Sequence, residues 1–188
     1  MISVLDNIST ASYALDMDSV LEVETRETQL NTLRAVDSAM MPFGHTLGFR
    51  VESLSAGKAV VLLECGSHLH NVFGYTHGGA IFSAADTAIG LAYVASLDTQ
   101  QTGTTVEAKI NFLRPSLSGE LRAHARCIKQ GKSLSFYECD ILDEQERLVA
   151  RASATMMTLH DHRSDGRRHL YEVATQPKAN IAEGNKDR

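Results

Sequence analysis

The stretch HGGAIFSAADTAIGLAYVAS, His77 to Ser96, constrains this chain more than any other feature. It is almost entirely small or apolar, yet it carries one carboxylate, Asp86. A helix apolar on every side must be covered on nearly every side. A sheet covers one side, and the other needs a second layer, for which a second copy of the chain is a source. Burying an ionised carboxylate without a partner costs on the order of several kcal/mol. Asp86 is therefore expected to do chemistry. The run nearly reaches bilayer-spanning length, but its acid, glycines and serines suit a lipid face poorly, so no membrane partner is expected.

The chain has 188 residues, 43% hydrophobic and 22% charged, a size and composition that fit one globular domain with extensions. Its net charge of −5 argues against a nucleic-acid partner, which would need a basic face. Cys65, Cys127 and Cys139 are an odd count without a C-x-x-C spacing, each in an apolar strand-like setting. They read as reduced core thiols of a cytoplasmic protein. The opening MISVLDNIST has no basic segment ahead of a long apolar run, so no secretory signal is expected.

Residues 1–25 read as an N-terminal extension, 26–159 as the folded domain and 160–188 as a polar, Arg-rich tail. Leu30, Leu33 and Val36 recur at helical spacing within 26–39, and Pro42, Gly44 and Gly48 break that helix. FRVESL and KAVVLLEC, separated by Ser-Ala-Gly, predict a strand pair, and GSHLHNVFGYT a loop leading into the apolar helix. After Gly103 the period changes to two. Val106, Ala108, Ile110 and Phe112 are expected on one face, with Thr105, Glu107, Lys109 and Asn111 on the other. Three more strands follow after turns at Ser118–Gly119, Gln130–Gly131 and Asp143–Gln145, predicting consecutive antiparallel hairpins.

The pattern N-x-x-G-x-x-H-G-G-x-x-x-x-x-x-D is filled by Asn71, Gly74, His77, Gly78, Gly79 and Asp86, and a β-rich half ending RASATMMTL follows. In these residues, over about 42–159, the chain resembles the hot-dog-fold acyl-CoA thioesterases of the PaaI-like, phenylacetate-degradation type. The resemblance implies an α+β fold in which a long helix lies inside a curved antiparallel sheet that continues across a dimer. It implies hydrolysis of an acyl-CoA thioester at the subunit interface, with no metal and no cofactor. Asp86 would be nucleophile or general base, and the N–H near Gly78 would polarise the thioester carbonyl. Asn71 would orient the carbonyl or the attacking water, and Thr105 would orient water. His77 enters the site by position. Arg114, and Lys132 with Ser133, stand where similar thioesterases contact CoA phosphates, though each also reads as a solvated strand-end group.

The residues themselves support part of this. A helix beginning near Gly78 has first-turn amides without intrahelical partners, a natural site for a developing oxyanion. Gly78 and Gly79 would let a substrate approach with no Cβ in the way. Gly78 and Asp86 are eight residues apart (86 − 78), about 12 Å along one helix. A carboxylate acting on a carbonyl must come within roughly 3–3.5 Å. If both act, Asp86 works with Gly78 of another subunit, so a homo-oligomer is expected, a dimer or a dimer of dimers. Direct attack and general-base catalysis both fit.

Structural roles compete with these. Asp86 would serve equally as an acid bonded to Ser83 or Thr87, and Asn71 as a turn cap. His68/His70 and His160/His162 share H-x-H spacing but lack a third ligand at helpful spacing, so no metal is expected. A non-catalytic acyl-CoA binding module would keep the groove without needing Asp86. A hot-dog dehydratase would need a His and acid arranged differently. Phe82, Ile89, Tyr93 and the 130–139 strand are the candidates for shaping an acyl pocket.

Overall fold

The computed structural model describes residues 31, 41–98 and 101–159. Apart from Asn31, the expected 26–39 helix lies outside the described residues, as do both proposed extensions and the His160/His162 pair. Where a simple break was expected, Pro42–Leu47 forms a short helix, α1. Its proline sits in the first turn, where a missing N–H costs nothing, and Gly48 ends it in the left-handed region at φ 78°.

The expected strand pair follows as β1, Phe49–Ser55, and β2, Lys58–Cys65, antiparallel across a tight turn. The apolar run forms α2, Gly78–Val94. Four strands complete the chain: β3, Thr102–Phe112; β4, Gly119–Lys129; β5, Leu134–Leu142; and β6, Leu148–Leu159. All pairings are antiparallel in one six-stranded sheet of order β1-β2-β4-β5-β6-β3. The β4–β5 and β5–β6 hairpins are as expected, but a β3–β4 hairpin is not present. Instead β3 pairs with β6 at the sheet's edge, and β4 returns to lie beside β2.

The core lies between α2 and one face of the sheet. Ala84, Ala85, Ala88 and Ala92 let the helix descend onto Ala123, Ala125, Ala152 and Ala154 of the strands, and α2 touches all six strands. Tyr93, Ile89, Leu63 and Tyr137 fill the wider gaps, each burial worth about 1.5–3 kcal/mol. Tyr93 donates to or accepts from Thr158 Oγ1 at 2.8 Å and packs edge-on to Tyr137. Ile89 and Tyr93 are thus core residues and do not line an open pocket; Phe82 is half-buried.

Four register shifts bend the strands. The one between Thr105 and Glu107 matters most. It inserts Val106 as an extra residue, which is left exposed, and changes the phase of the strand's alternation. Thr105 therefore shares the helix side with Ala108, Ile110 and Phe112, instead of facing away with Glu107 as the unbroken period of two predicts.

Candidate active site

The sheet leaves one flank of α2 bare: Gly79 and Asp86 are exposed, and Phe82, Ser83, Thr87 and Gly90 only half-buried. Within one chain Asp86 is therefore not desolvated, contrary to the expectation of a buried acid. Any covering layer must come from outside the described residues. Thr105 Oγ1 reaches Asp86 Oδ1 at 3.4 Å, a long contact, and is its one hydrogen-bond partner among the described residues. The Ser83 hydroxyl is spent on Gly79 O at 2.8 Å, so it does not hold the acid.

The start of α2 is built by His77. Its carbonyl accepts from Ala80 and Ile81, and its Nδ1 accepts the Gly79 N–H at 2.9 Å. Accepting at Nδ1 assigns the ring proton to Nε2 in the neutral ring. Among the described residues the Gly78 N–H is then the first-turn amide left without an acceptor. At both glycines an added Cβ would also crowd side chains of the chain itself. A Cβ at Gly79 would meet His77 Nδ1 at 3.0 Å, and one at Gly78 would meet Phe112 Cζ at 3.0 Å.

Asn71 sits in the loop before the helix. Its Oδ1 accepts the amides of Phe73 (2.9 Å) and Tyr75 (3.2 Å), closing a tight turn. That loop is tied to the β3–β4 connection by Thr76 N–H to Ser116 O and by His70 Nε2 with Leu117 O. It holds Val72 and Phe73 almost fully in solvent.

Arg114 and the Lys132–Ser133 pair are not brought together. Arg114 Nη1 donates to Leu148 O at 2.6 Å, and its amide to Val149 O, at the beginning of β6. Ser133 O accepts the Thr158 amide near the end of β6. Val149 and Thr158 are nine residues apart on that strand (158 − 149), about 30 Å. One phosphate group cannot meet both sites on one chain.

The thiols stand apart from this chemistry. Burial pushes Cys139 up to about 12, helped by the charge of Asp140, and burial raises Cys65 as well. Both stay protonated at neutral pH and are poor nucleophiles. Among the described residues there is no cluster of three or more His, Cys, Asp or Glu placed to hold a metal, and no helix long and apolar enough to cross a membrane.

Sequence reasoning missed the contact of Phe112 with Gly78 and the His77 cap. An aromatic on an alternating strand signals burial, not which helix end it meets. The H-G-G order was legible, but the cap depends on a side-chain rotamer.

Residues 73–150 match the thioesterase superfamily. The chain is 33% identical over 116 residues to the 1,4-dihydroxy-2-naphthoyl-CoA hydrolase of Listeria monocytogenes, covering 62% of this chain and 94% of that protein. It is 37% identical over 112 residues to the acyl-coenzyme A thioesterase PaaI of Escherichia coli, covering 55% and 73%. The solved structure of E. coli PaaI superposes with a TM-score of 0.59 at 29% identity, over 63% of this chain and 84% of that one. By fold and sequence together, the chain belongs to the thioesterase superfamily, as a thioester hydrolase of the hot-dog fold.

Proposed function

We propose that the protein hydrolyses an acyl-CoA thioester to the free acid and CoA, at a site shared by two copies of the chain. The observation that carries this is the pairing of two groups that are unspent among the described residues: the Gly78 N–H, without an acceptor there, and the Asp86 carboxylate, held there only by Thr105. The two lie about 12 Å apart on one rigid helix, so they meet on one thioester only across a subunit interface. The relatives that act on CoA thioesters support the substrate class. The three unbridged cysteines fit a cytoplasmic location.

In this reading the carbonyl oxygen accepts from Gly78 of one subunit while Asp86 of the other removes a proton from water. The hydroxide adds to the carbonyl carbon, and the negative charge grows on the oxygen held by Gly78. Collapse breaks the C–S bond, and the CoA thiolate leaves and takes up a proton. Direct attack by Asp86, giving a mixed anhydride that water then cleaves, uses the same groups. Thr105 orients the carboxylate or its water. Asn71 supports the loop, and its amide nitrogen, without a partner among the described residues, meets the carbonyl. His77 fixes the helix start, and Gly79 is needed for that cap. A CoA touching both Arg114 and Lys132–Ser133 takes one contact from each subunit.

Thiol release over a panel of acyl-CoAs tests this. Asp86→Asn is expected to lower kcat by about 10²–10⁴-fold while CoA still binds. A variant as fast as the native protein removes Asp86 from the reaction. A protein that binds acyl-CoA but releases no thiol is the non-catalytic module instead.

A further inference from the structure

Phe112 ends β3 with its ring laid on Gly78. A Cβ at Gly78 would stand 3.0, 3.3 and 3.4 Å from Cζ, Cε1 and Cε2. Distances so nearly equal put that position above the plane of the ring's outer edge, not end-on to it. One ring face covers the glycine, while Phe112 as a whole remains 52% exposed. Its backbone is fixed: Phe112 pairs with Ala150, and the next two amides both donate to Val149 O, at 2.8 and 3.1 Å. Arg114 adds its guanidinium bond to Leu148 O. A large apolar side chain is thus held half in solvent, against the first-turn residue whose amide is unspent among the described residues. A Cβ at Gly78 would push the ring outward by a few tenths of an ångström.

We infer that Phe112 is a positioning residue for the hydrolysis: its ring keeps water from one flank of the Gly78 amide that receives the carbonyl oxygen. The inference rests on the function proposed above. A hydrogen bond to a developing oxyanion gains strength where water is excluded. The gain grows with the charge on the oxygen, so it appears in the transition state more than in substrate binding. The ring touches the glycine rather than the reacting atoms and acts through the amide.

The test compares native protein with Phe112→Ala and Phe112→Tyr by thiol release, on the acyl-CoA that the native protein turns over fastest, alongside sizing of each variant. Phe112→Ala is expected to lower kcat about tenfold, short of the ~10²–10³ that deleting an oxyanion donor costs. KM should stay within about threefold, the mark of an interaction made in the transition state. Phe112→Tyr keeps the ring and should restore kcat to within about threefold of native. Should Phe112→Ala not fold, Phe112→Leu, apolar but without a flat ring, takes its place with the same expected loss. Unchanged kcat, a loss confined to KM, a Tyr variant as slow as Ala, or a loss that follows dissociation of the oligomer would each overturn the inference. A native protein inactive on every acyl-CoA overturns the proposed function, and this inference with it.

Discussion

Asp140, on the sheet face away from α2, is where the charges of three strands converge. Arg126 of β4 reaches it at 3.2 Å and also holds Glu138 at 2.6 Å, while Arg151 of β6 binds it through two nitrogens. Burial pushes the carboxyl up, but the hydrogen bonds and charges of Arg151 and Arg126 outweigh it and hold Asp140 below the usual carboxylate range. A lowered folded pKa stabilises the fold above the unfolded value of about 3.9 and ceases to as pH falls through the folded value. Asp140→Asn should therefore cost about 1 kcal/mol at neutral pH, modest because both arginines are half in water. In urea unfolding, the gap from native protein should close as pH drops below about 4. A gap constant with pH would show that charge plays no part. At this scale the sequence announced Asp86, because a lone acid in an apolar helix stands out against its neighbours. It did not announce Phe112 or Asp140, whose partners lie on other elements: Gly78 of α2 for the first, Arg126 and Arg151 of β4 and β6 for the second.

Among the elements, β3 and α2 depend on each other most closely where Gly103 faces Tyr93. A Cβ on Gly103 would lie 2.5 Å from Tyr93 Cε1 and 2.6 Å from Met157 O. The second of these is backbone and cannot swing aside. Gly103→Ala should destabilise by about 1–3 kcal/mol, as overpacking does, and disturb the Tyr93–Thr158 bond. An unchanged thermal midpoint would refute the close packing. The elements were legible because turn residues set off β1 and β2, the strands after Gly103 alternate with a period of two, and α2 is an apolar run with a single acid. Their neighbours were not, because alternation fixes which face is buried and says nothing of which strand lies alongside. Hence β3 was expected beside β4 and is found beside β6. The extra residue Val106 was invisible for a related reason: Val106 fits a strand pattern equally well in either phase.

For the whole molecule, the proposed sharing of the site between subunits makes a prediction that no single chain can satisfy alone. Gly78→Pro removes the amide proton at a helix position that tolerates proline, with the half-exposed Phe112 ring moving outward to make room. His77, at φ −62° and ψ 133°, already has the extended backbone that a residue before proline prefers. Gly78→Pro and Asp86→Asn should each be nearly inactive. If they are unfolded and refolded together, half the dimers are mixed and each carries one intact site of two. About a quarter of native activity should then return; none would return if both groups served one chain's own site. The need for a covering layer over α2 was legible in its apolar circumference, but the composition of that layer was not.

The same sheet carries another demand. Beyond its pairing with β6, the eleven-residue strand β3 offers its outer row of amides and carbonyls to no other described strand. Such a row is a template for any extended segment. A protomer whose β3 edge is unpaired is therefore open to disordered self-association as well as to the ordered pairing proposed above. If two chains share the site as proposed, selection on this sequence acts on how fast newly made chains find each other, as well as on how well they catalyse.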